Sequence, residues 1–184
     1  FENVSNDSDW DFLSDGISED IINNLSQLKD LRVISRASSF RYREPDINPQ
    51  TVGGELGVRA LVTGRVLVRG EDLSIRADLV DVKENTQLWG GEFTGKLREI
   101  LEMREGIAKE ISDSLRPGLT PEEEIQLTRN YTQDDQAHAA YLRGRFEEVK
   151  NTPFGYRNAI GHFETAIDRD PGFARAYAGL SRCY

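Results

Sequence analysis

The start of the chain passes from a short apolar pattern into turn residues and then into helical spacing. The segment FENVSNDSDWDFLSDG opens with Phe1 and Val4 and continues into Asn, Asp and Ser, as the end of a strand does. We expect that strand to begin before Phe1. Spacings of four and three then separate Ile17, Ile21, Leu25 and Leu28. This stripe predicts a helix that faces a core, with Ser14 or Asp15 as its N-cap.

The next segments change from helical spacing to alternation. LRVIS, from Leu31 to Ser35, is short and β-branched and predicts a strand, and PQTVGGELG, from Pro49 to Gly57, predicts a short helix that ends at a glycine. From Ala60 to Asp81 small or apolar residues alternate with polar ones around a turn at Gly70, which indicates an antiparallel hairpin. The segment QLWGGEF follows another turn, at residues 84–86, and extends the hairpin to a meander.

Helical spacing returns after the meander. Spacings of seven, four and four separate Ile100, Ile107, Ile111 and Leu115. This stripe predicts a helix that covers one face of the sheet and ends at Pro117 and Gly118. Thr120-Pro121-Glu122-Glu123 has the order of a helix start, with Thr120 at the N-cap, and every later segment is helical in pattern.

These elements predict two domains joined near Arg116–Leu119. Residues 1–116 form an α+β or α/β domain, a mixed sheet with a β-meander covered by helices. Residues 117–184 form an all-α segment. With 184 residues the chain is long enough for one ordinary domain and a smaller second unit.

Composition and charge narrow the classes of partner. Apolar residues make up 38% and charged residues 30% of the chain, as in soluble globular proteins. The net charge of -9 repels phosphate backbones and anionic lipid, so nucleic acid is not an expected partner. Cys183 has no second cysteine with which to form an internal disulfide. No apolar run approaches the ~20 residues of a membrane span, so we expect membrane attachment only through a segment outside this chain.

Motifs for phosphate or metal chemistry are weak. The glycine pairs at 53–54 and 90–91 lack the spacing of a phosphate loop, and the string GGEF lies in a predicted strand, where its resemblance to a diguanylate cyclase signature lacks the second acid. His138 and His162 have no second His or Cys one helical turn away, which favours packing or solvation over a metal or acid/base role. We predict no catalytic, cofactor-binding or metal-binding residue.

Two charged clusters leave alternatives open. The acids Asp7, Asp9, Asp11 and Asp15 either form a cation site or a solvated turn before a helix, and the missing EF-hand glycine and glutamate favour the turn. The arginines Arg32, Arg36, Arg41 and Arg43 lie on or beside the strand predicted at 31–35. They form either an anion site or, more commonly for charge runs, a solvated edge.

The second half of the chain carries a repeat pattern. Small, aromatic, small and proline positions are occupied by Ala159, Phe163, Ala166 and Pro171. Gly144 belongs to the preceding helix, and a following helix supplies Tyr177, Leu180 and Tyr184. This spacing resembles the tetratricopeptide repeat, in which small residues let helices approach closely while aromatic residues fill the holes between them. The first repeat is irregular, and we expect the second to be truncated.

The repeat resemblance implies a protein or peptide partner. Such repeats stack into a concave groove that binds peptides or helices. The residues that either line this groove or pack inside it are Tyr141, Arg145, Arg175 and Arg182. For Tyr141 packing in the core is preferred, and a homo-oligomer or strand addition at the edge of the meander is a further alternative.

The first domain resembles the TolB-amino-terminal-like domain. The resemblance covers nearly all of residues 1–116 and is carried by FENVSND, SDGISEDIINNLSQL, LRVISRASSFRYR, VGGELGVRALVTGRV, ADLVDVKENTQLW and EGIAKEISDSL. In bacterial signalling proteins this module precedes tetratricopeptide repeats and follows an adenylate or guanylate cyclase, a serine/threonine kinase or a winged-helix regulator. A membrane span often lies between, which implies an extracytoplasmic location, with a cytoplasmic one as the alternative.

The resemblances together predict a non-catalytic regulatory or scaffolding part of a bacterial signalling protein, and not an enzyme, that binds partners through its repeats. One alternative is the regulatory region of a larger adenylate cyclase or serine/threonine kinase whose catalytic domain lies outside this chain. The other is a domain that senses a small ligand.

Overall fold

The computed structural model describes residues 1–42, 48–116, 120–127 and 131–184. Within these ranges the strands are β1 (Glu2–Asn3), β2 (Ala60–Arg69), β3 (Asp72–Asp81) and β4 (Thr86–Lys96). The helices in the same ranges are α1 (Asp11–Leu25), α2 (Arg36–Ser39), α3 (Pro49–Leu56), α4 (Ile100–Leu115), α5 (Pro121–Leu127), α6 (Asp135–Val149), α7 (Pro153–Arg169) and α8 (Ala174–Arg182). A mixed sheet with helices makes this an α+β fold.

The four strands form one sheet in the order β1-β2-β3-β4. β1 runs parallel to β2, and the two later pairs are antiparallel, so the predicted meander is confirmed. Gly70 lies in the β2–β3 turn with a φ of 62°, which a residue without a Cβ adopts at little cost. One face of β3 is fully buried and carries Leu73, Ile75, Ala77 and Leu79. Helices α1 and α4 pack with the strands around this core.

The start of α1 differs from the prediction. Asp7 caps a turn of 3-10 helix at Ser8–Trp10 by accepting a hydrogen bond from the backbone of Asp9, and α1 continues directly from Asp11. Ser14 and Asp15 therefore lie inside the helix, and the prediction that either is its N-cap is wrong. The Asx chemistry of Asp7 begins helical structure about two turns earlier than the apolar stripe suggests.

The strand predicted from Leu31 to Ser35 is also wrong. These residues make no strand ladder, and a short helix, α2, follows them at once. Leu31 and Val33 pack against the core, so packing without strand pairing explains their alternating pattern. The helix predicted at Pro49–Gly57 is confirmed, and Gly57 ends it in the left-handed conformation with a φ of 65°.

The helix after the meander is confirmed as α4, with Ile100, Ile107 and Ile111 buried. Residues 117–119 lie outside the described residues. They include the predicted end of this helix at Pro117 and Gly118, most of the predicted linker and the residue after the predicted domain boundary. The next helix starts as expected. The backbone N–H of Glu123 donates to the Thr120 hydroxyl at 3.2 Å, and that of Thr120 donates to the Glu123 carboxylate at 3.0 Å.

One buried apolar cluster runs through both predicted domains. It includes Ile17 on α1, Ile75 on β3, Leu142 on α6 and Phe163 on α7. Helices α6, α7 and α8 pack against each other, and α6 also packs against α1. None of the helices in the described ranges is long and apolar enough to span a membrane.

Candidate functional site at the junction of sheet and C-terminal helices

The contact between α1 and α6 brings the sheet and the C-terminal helices α6–α8 together. Along α6, His138 meets Asp20 and Leu142 meets Gly16, so the two helices run antiparallel. A Cβ added to Gly16 would lie 2.6 Å from the side chain of Leu142. The absence of a side chain at Gly16 thus permits the close approach of the helices. We call this region, with the parts of α4 and α8 that face Asp20, the junction.

A buried carboxylate, Asp20, lies at the centre of the junction with 2% of its surface exposed. His138 Nε2 on α6 lies 2.9 Å from Asp20 Oδ2, and Arg104 Nη1 on α4 lies 3.2 Å from the same oxygen. Arg175 Nη1 on α8 approaches Oδ1 at 3.8 Å. The four side chains come from four helices, so this one carboxylate connects the helices that cover the sheet with the C-terminal helices.

The surroundings of Asp20 set its protonation state. Burial raises its pKa, but His138, Arg104 and Arg175 together outweigh burial and lower the pKa to about 2. Asp20 is therefore ionised at neutral pH. A buried ion of this kind is costly unless its partners remain in place, so the carboxylate fixes the positions of the helices that carry them.

His138 is buried and bonds through one ring nitrogen. Its Nε2 pairs with Asp20, while Nδ1 is buried without a hydrogen-bond partner among the described residues. His162 is half-buried, and burial, followed by the nearby charge of Arg143, lowers its pKa. The two histidines thus have different surroundings, and only His138 belongs to the junction.

Acid should destabilise the junction through Asp20. Because its folded pKa, about 2, is below the ordinary value of 3.8, ionised Asp20 adds stability that is present above pH 4 and is lost as the pH falls towards 2. The pKa difference corresponds to about 2 kcal/mol. Urea unfolding of the parent protein and of Asp20→Asn checks this at several pH values. The difference in their unfolding free energy should shrink below pH 4, and a constant difference down to pH 2 would contradict the assignment.

A second, more exposed ionic network borders the junction. Glu19 on α1 pairs with Arg36 at 2.9 Å and with Arg145 on α6 at 2.8 Å. Glu148 pairs with Arg145 at 2.7 Å and with Arg182 on α8 at 2.6 Å. Burial raises the pKa of Glu148, but Arg182 and Arg145 outweigh it and the pKa falls below its ordinary value. Two of the residues predicted to bind a partner, Arg145 and Arg182, are thus engaged inside the chain.

The other two predicted partner-binding residues also make internal contacts. Tyr141 is buried, with its ring 5.9 Å from that of Phe163 and 5.1 Å from that of Phe173, and burial raises its pKa to about 12. The structure therefore places Tyr141 in the core, the packing alternative of the sequence analysis, because two aromatic rings enclose it. The guanidinium of Arg175 lies 3.3 Å from the ring centre of Tyr131.

The predicted repeat positions divide into a buried and an exposed group. Ala159, Phe163 and Ala166 are fully buried, and a Cβ at Gly144 would lie 2.6 Å from the Phe163 ring. Four positions are less buried: Leu180 is half-buried, and Pro171, Tyr177 and Tyr184 are exposed. Helix α8 packs through its small residues Ala176 and Gly179, which leaves Tyr177 on its other face.

The remaining candidates do not converge on a site. Within the described ranges no three His, Cys, Asp or Glu side chains are placed to hold a metal ion. Asp7 caps a helical turn, and Asp11 accepts a hydrogen bond from Asn3 at 2.7 Å. Among the four arginines, Arg36 pairs with Glu19 and lies over the ring of Phe40, and Arg43 lies outside the described residues. The GGEF string forms part of β4.

Sequence comparison links the chain to adenylate cyclase-associated proteins. One relative is the protein named "Putative adenylate cyclase 3" of Rhizobium meliloti (strain 1021), which is 31% identical over 181 residues. The match covers 98% of this chain, and the chain spans 31% of the length of the relative. No protein-family model matches the chain.

This match corrects the prediction that the protein is not an enzyme. A protein named as a cyclase aligns with nearly the whole chain, and this finding overturns the prediction. The sequence alone led to the opposite conclusion because no catalytic motif was found in these residues, and the absence of a motif from 184 residues says nothing about the activity of a longer protein. The prediction of a signalling role agrees with the match.

Sequence reasoning missed Asp20 and Arg104. Both lie on the apolar stripes used to predict their helices: Asp20 follows Ile17 by three residues, and Arg104 follows Ile100 by four. Charges of opposite sign on two stripes that face one core are the signal that could have predicted a buried ion pair.

Proposed function

We propose that this chain is the regulatory region of a larger adenylate cyclase whose catalytic domain lies outside these residues. The observation that carries the proposal is the match of nearly the whole chain to less than a third of a protein named as a cyclase. The junction supports it, because the Asp20 carboxylate is already paired with Arg104 and His138 and connects the helices that carry them.

The proposed architecture is a TolB-like α/β domain followed by tetratricopeptide repeats that recruit a protein or peptide. Helices α6 and α7 support the repeat assignment because they run antiparallel, with Arg169 against Asp134 at one end and Asn158 against Glu147 at the other. Gly144 on α6 and Gly179 on α8 both leave room for the Phe163 ring on α7, as the resemblance implies for small and aromatic repeat positions. The proposed domain boundary remains between residues 116 and 117.

In this proposal the junction transmits the regulatory signal. A partner that binds α6–α8 shifts these helices relative to α1, and the buried ionic contacts of Asp20 couple that shift to the sheet. Coupling of this kind requires two states with different contacts. A buried carboxylate gives a large difference in free energy between the state in which it is paired and the state in which it is not.

The full-length protein provides the test. It should convert ATP to cyclic AMP, whereas residues 1–184 alone should not, and full-length protein that lacks residues 1–184 should show an altered rate. The measurement is cyclic AMP formed per minute by purified protein. A full-length protein that folds and forms no cyclic AMP would refute the cyclase assignment. Cyclic AMP formed by residues 1–184 alone would place catalysis inside this chain.

A further inference from the structure

We propose that the contact of Arg175 with Asp20 holds α8 on the junction and can be released while Arg104 and His138 stay paired with Asp20. We call this releasable contact the clasp. The geometry divides the cluster into a tight and a loose part. Arg104 and His138 approach one carboxylate oxygen at 3.2 and 2.9 Å, and both side chains are almost completely buried. Arg175 approaches the other oxygen at 3.8 Å, beyond direct hydrogen-bonding distance, and is 24% exposed.

The position of Arg175 between two partners explains why it can leave. Its guanidinium lies over the half-buried ring of Tyr131, and Arg175 is the most exposed of the side chains around Asp20. A partly exposed guanidinium has weaker contacts with the protein than a buried one. It therefore loses less interaction energy when it moves into water. The carboxylate keeps two close donors after Arg175 departs, so release of α8 creates no unpaired buried charge.

The contacts of α8 on its other side are suited to a separable element. The fully buried residues of α8 itself are the small Ala176 and Gly179, which bury little apolar area of their own; Leu180 is half-buried, and Gly179 lies against the Phe163 ring. Near its end Arg182 pairs with Glu148, and the Arg182 side chain is about half exposed. The inner helices α1, α4 and α6, by contrast, share larger buried side chains such as Leu13, Ile107 and Leu142. Opening of α8 thus uncovers part of the Phe163 ring, while the contacts among α1, α4 and α6 remain.

Hydrogen exchange of the chain tests the clasp without any assay of cyclase activity. Arg175→Met removes the charge and keeps much of the length of the side chain. It should raise amide exchange in α8 about tenfold and leave exchange in α1 nearly unchanged. Arg104→Met, the comparison at the tight part, should raise exchange in both helices. Arg157→Met is the matched control, because Arg157 is an exposed arginine on α7.

Three outcomes would overturn the proposal: unchanged exchange in α8, an equal rise in α1 and α8, or an α8 that is already unprotected in the parent protein. If Arg175→Met does not fold, Arg175→Lys keeps the charge but loses the planar stack on Tyr131. Its exchange in α8 should also rise, by a smaller factor, and no rise in that variant would equally refute the clasp. A negative result for the clasp would leave the cyclase assignment unaffected, since hydrogen exchange in these variants does not depend on ATP.

Discussion

Asp20→Asn is expected to destabilise the protein by about 3–5 kcal/mol, because it removes the negative charge that lies 3.2 Å from the Arg104 guanidinium while leaving that guanidinium in the core. This is a large part of the ~5–15 kcal/mol by which domains are stable. Urea unfolding at pH 7, followed by circular dichroism, measures the loss.

The matched control for this change is Asp113→Asn on α4. Asp113 is exposed, so the loss of its charge should change the stability by no more than ~0.5 kcal/mol. Similar losses in both variants would mean that net charge, and not the contacts of Asp20, determines the effect. A normal stability of Asp20→Asn would show that the buried ion pairs are not required for the fold.

Phe163→Ala should cost about 3–5 kcal/mol, because it leaves a cavity where three helices meet. The Phe163 ring is fully buried, packs against Tyr141 and fills the space left by Gly144 and Gly179. Because small residues surround the ring, little side-chain volume is available to collapse into the cavity. The same urea unfolding assay measures the loss.

Phe154→Ala on the same helix is the control. Phe154 is 68% exposed, so its truncation should have little effect on stability. If the two variants lose the same stability, the central position assigned to Phe163 is incorrect. If Phe163→Ala unfolds only α8, hydrogen exchange in α1 should stay unchanged, and the loss would then be local to the C-terminal helices.

Local chemistry made most elements of the fold predictable from the sequence. Gly70 defines the hairpin turn, Gly57 ends α3, and Thr120 with Glu123 begins α5, and each of these signals acts within a few residues of the element it determines. The strand predicted at 31–35 failed because strand formation needs a neighbour for its backbone, and the local sequence does not show whether one exists.

The junction was harder to predict because its contacts are distant along the chain. Asp20 and His138 are separated by 118 positions, and nothing in the periodicity of α1 or α6 indicates which helix faces which. Gly16 directly follows the predicted N-cap positions Ser14 and Asp15, and in the structure it is the point at which Leu142 contacts α1. Phe163, in contrast, was predicted from spacing within one helix, and in the structure its ring is fully buried.

The shared core has a consequence for how such proteins change during evolution. Since Ile17, Leu142 and Phe163 belong to one apolar cluster, recombination near residue 116 would give each product an apolar face without its matching surface. Such hybrids would be retained only if the incoming helices brought residues equivalent to Gly16 and Asp20 or to Leu142 and His138. The sheet and the C-terminal helices should therefore be inherited together, and substitutions at these paired positions should covary among descendants.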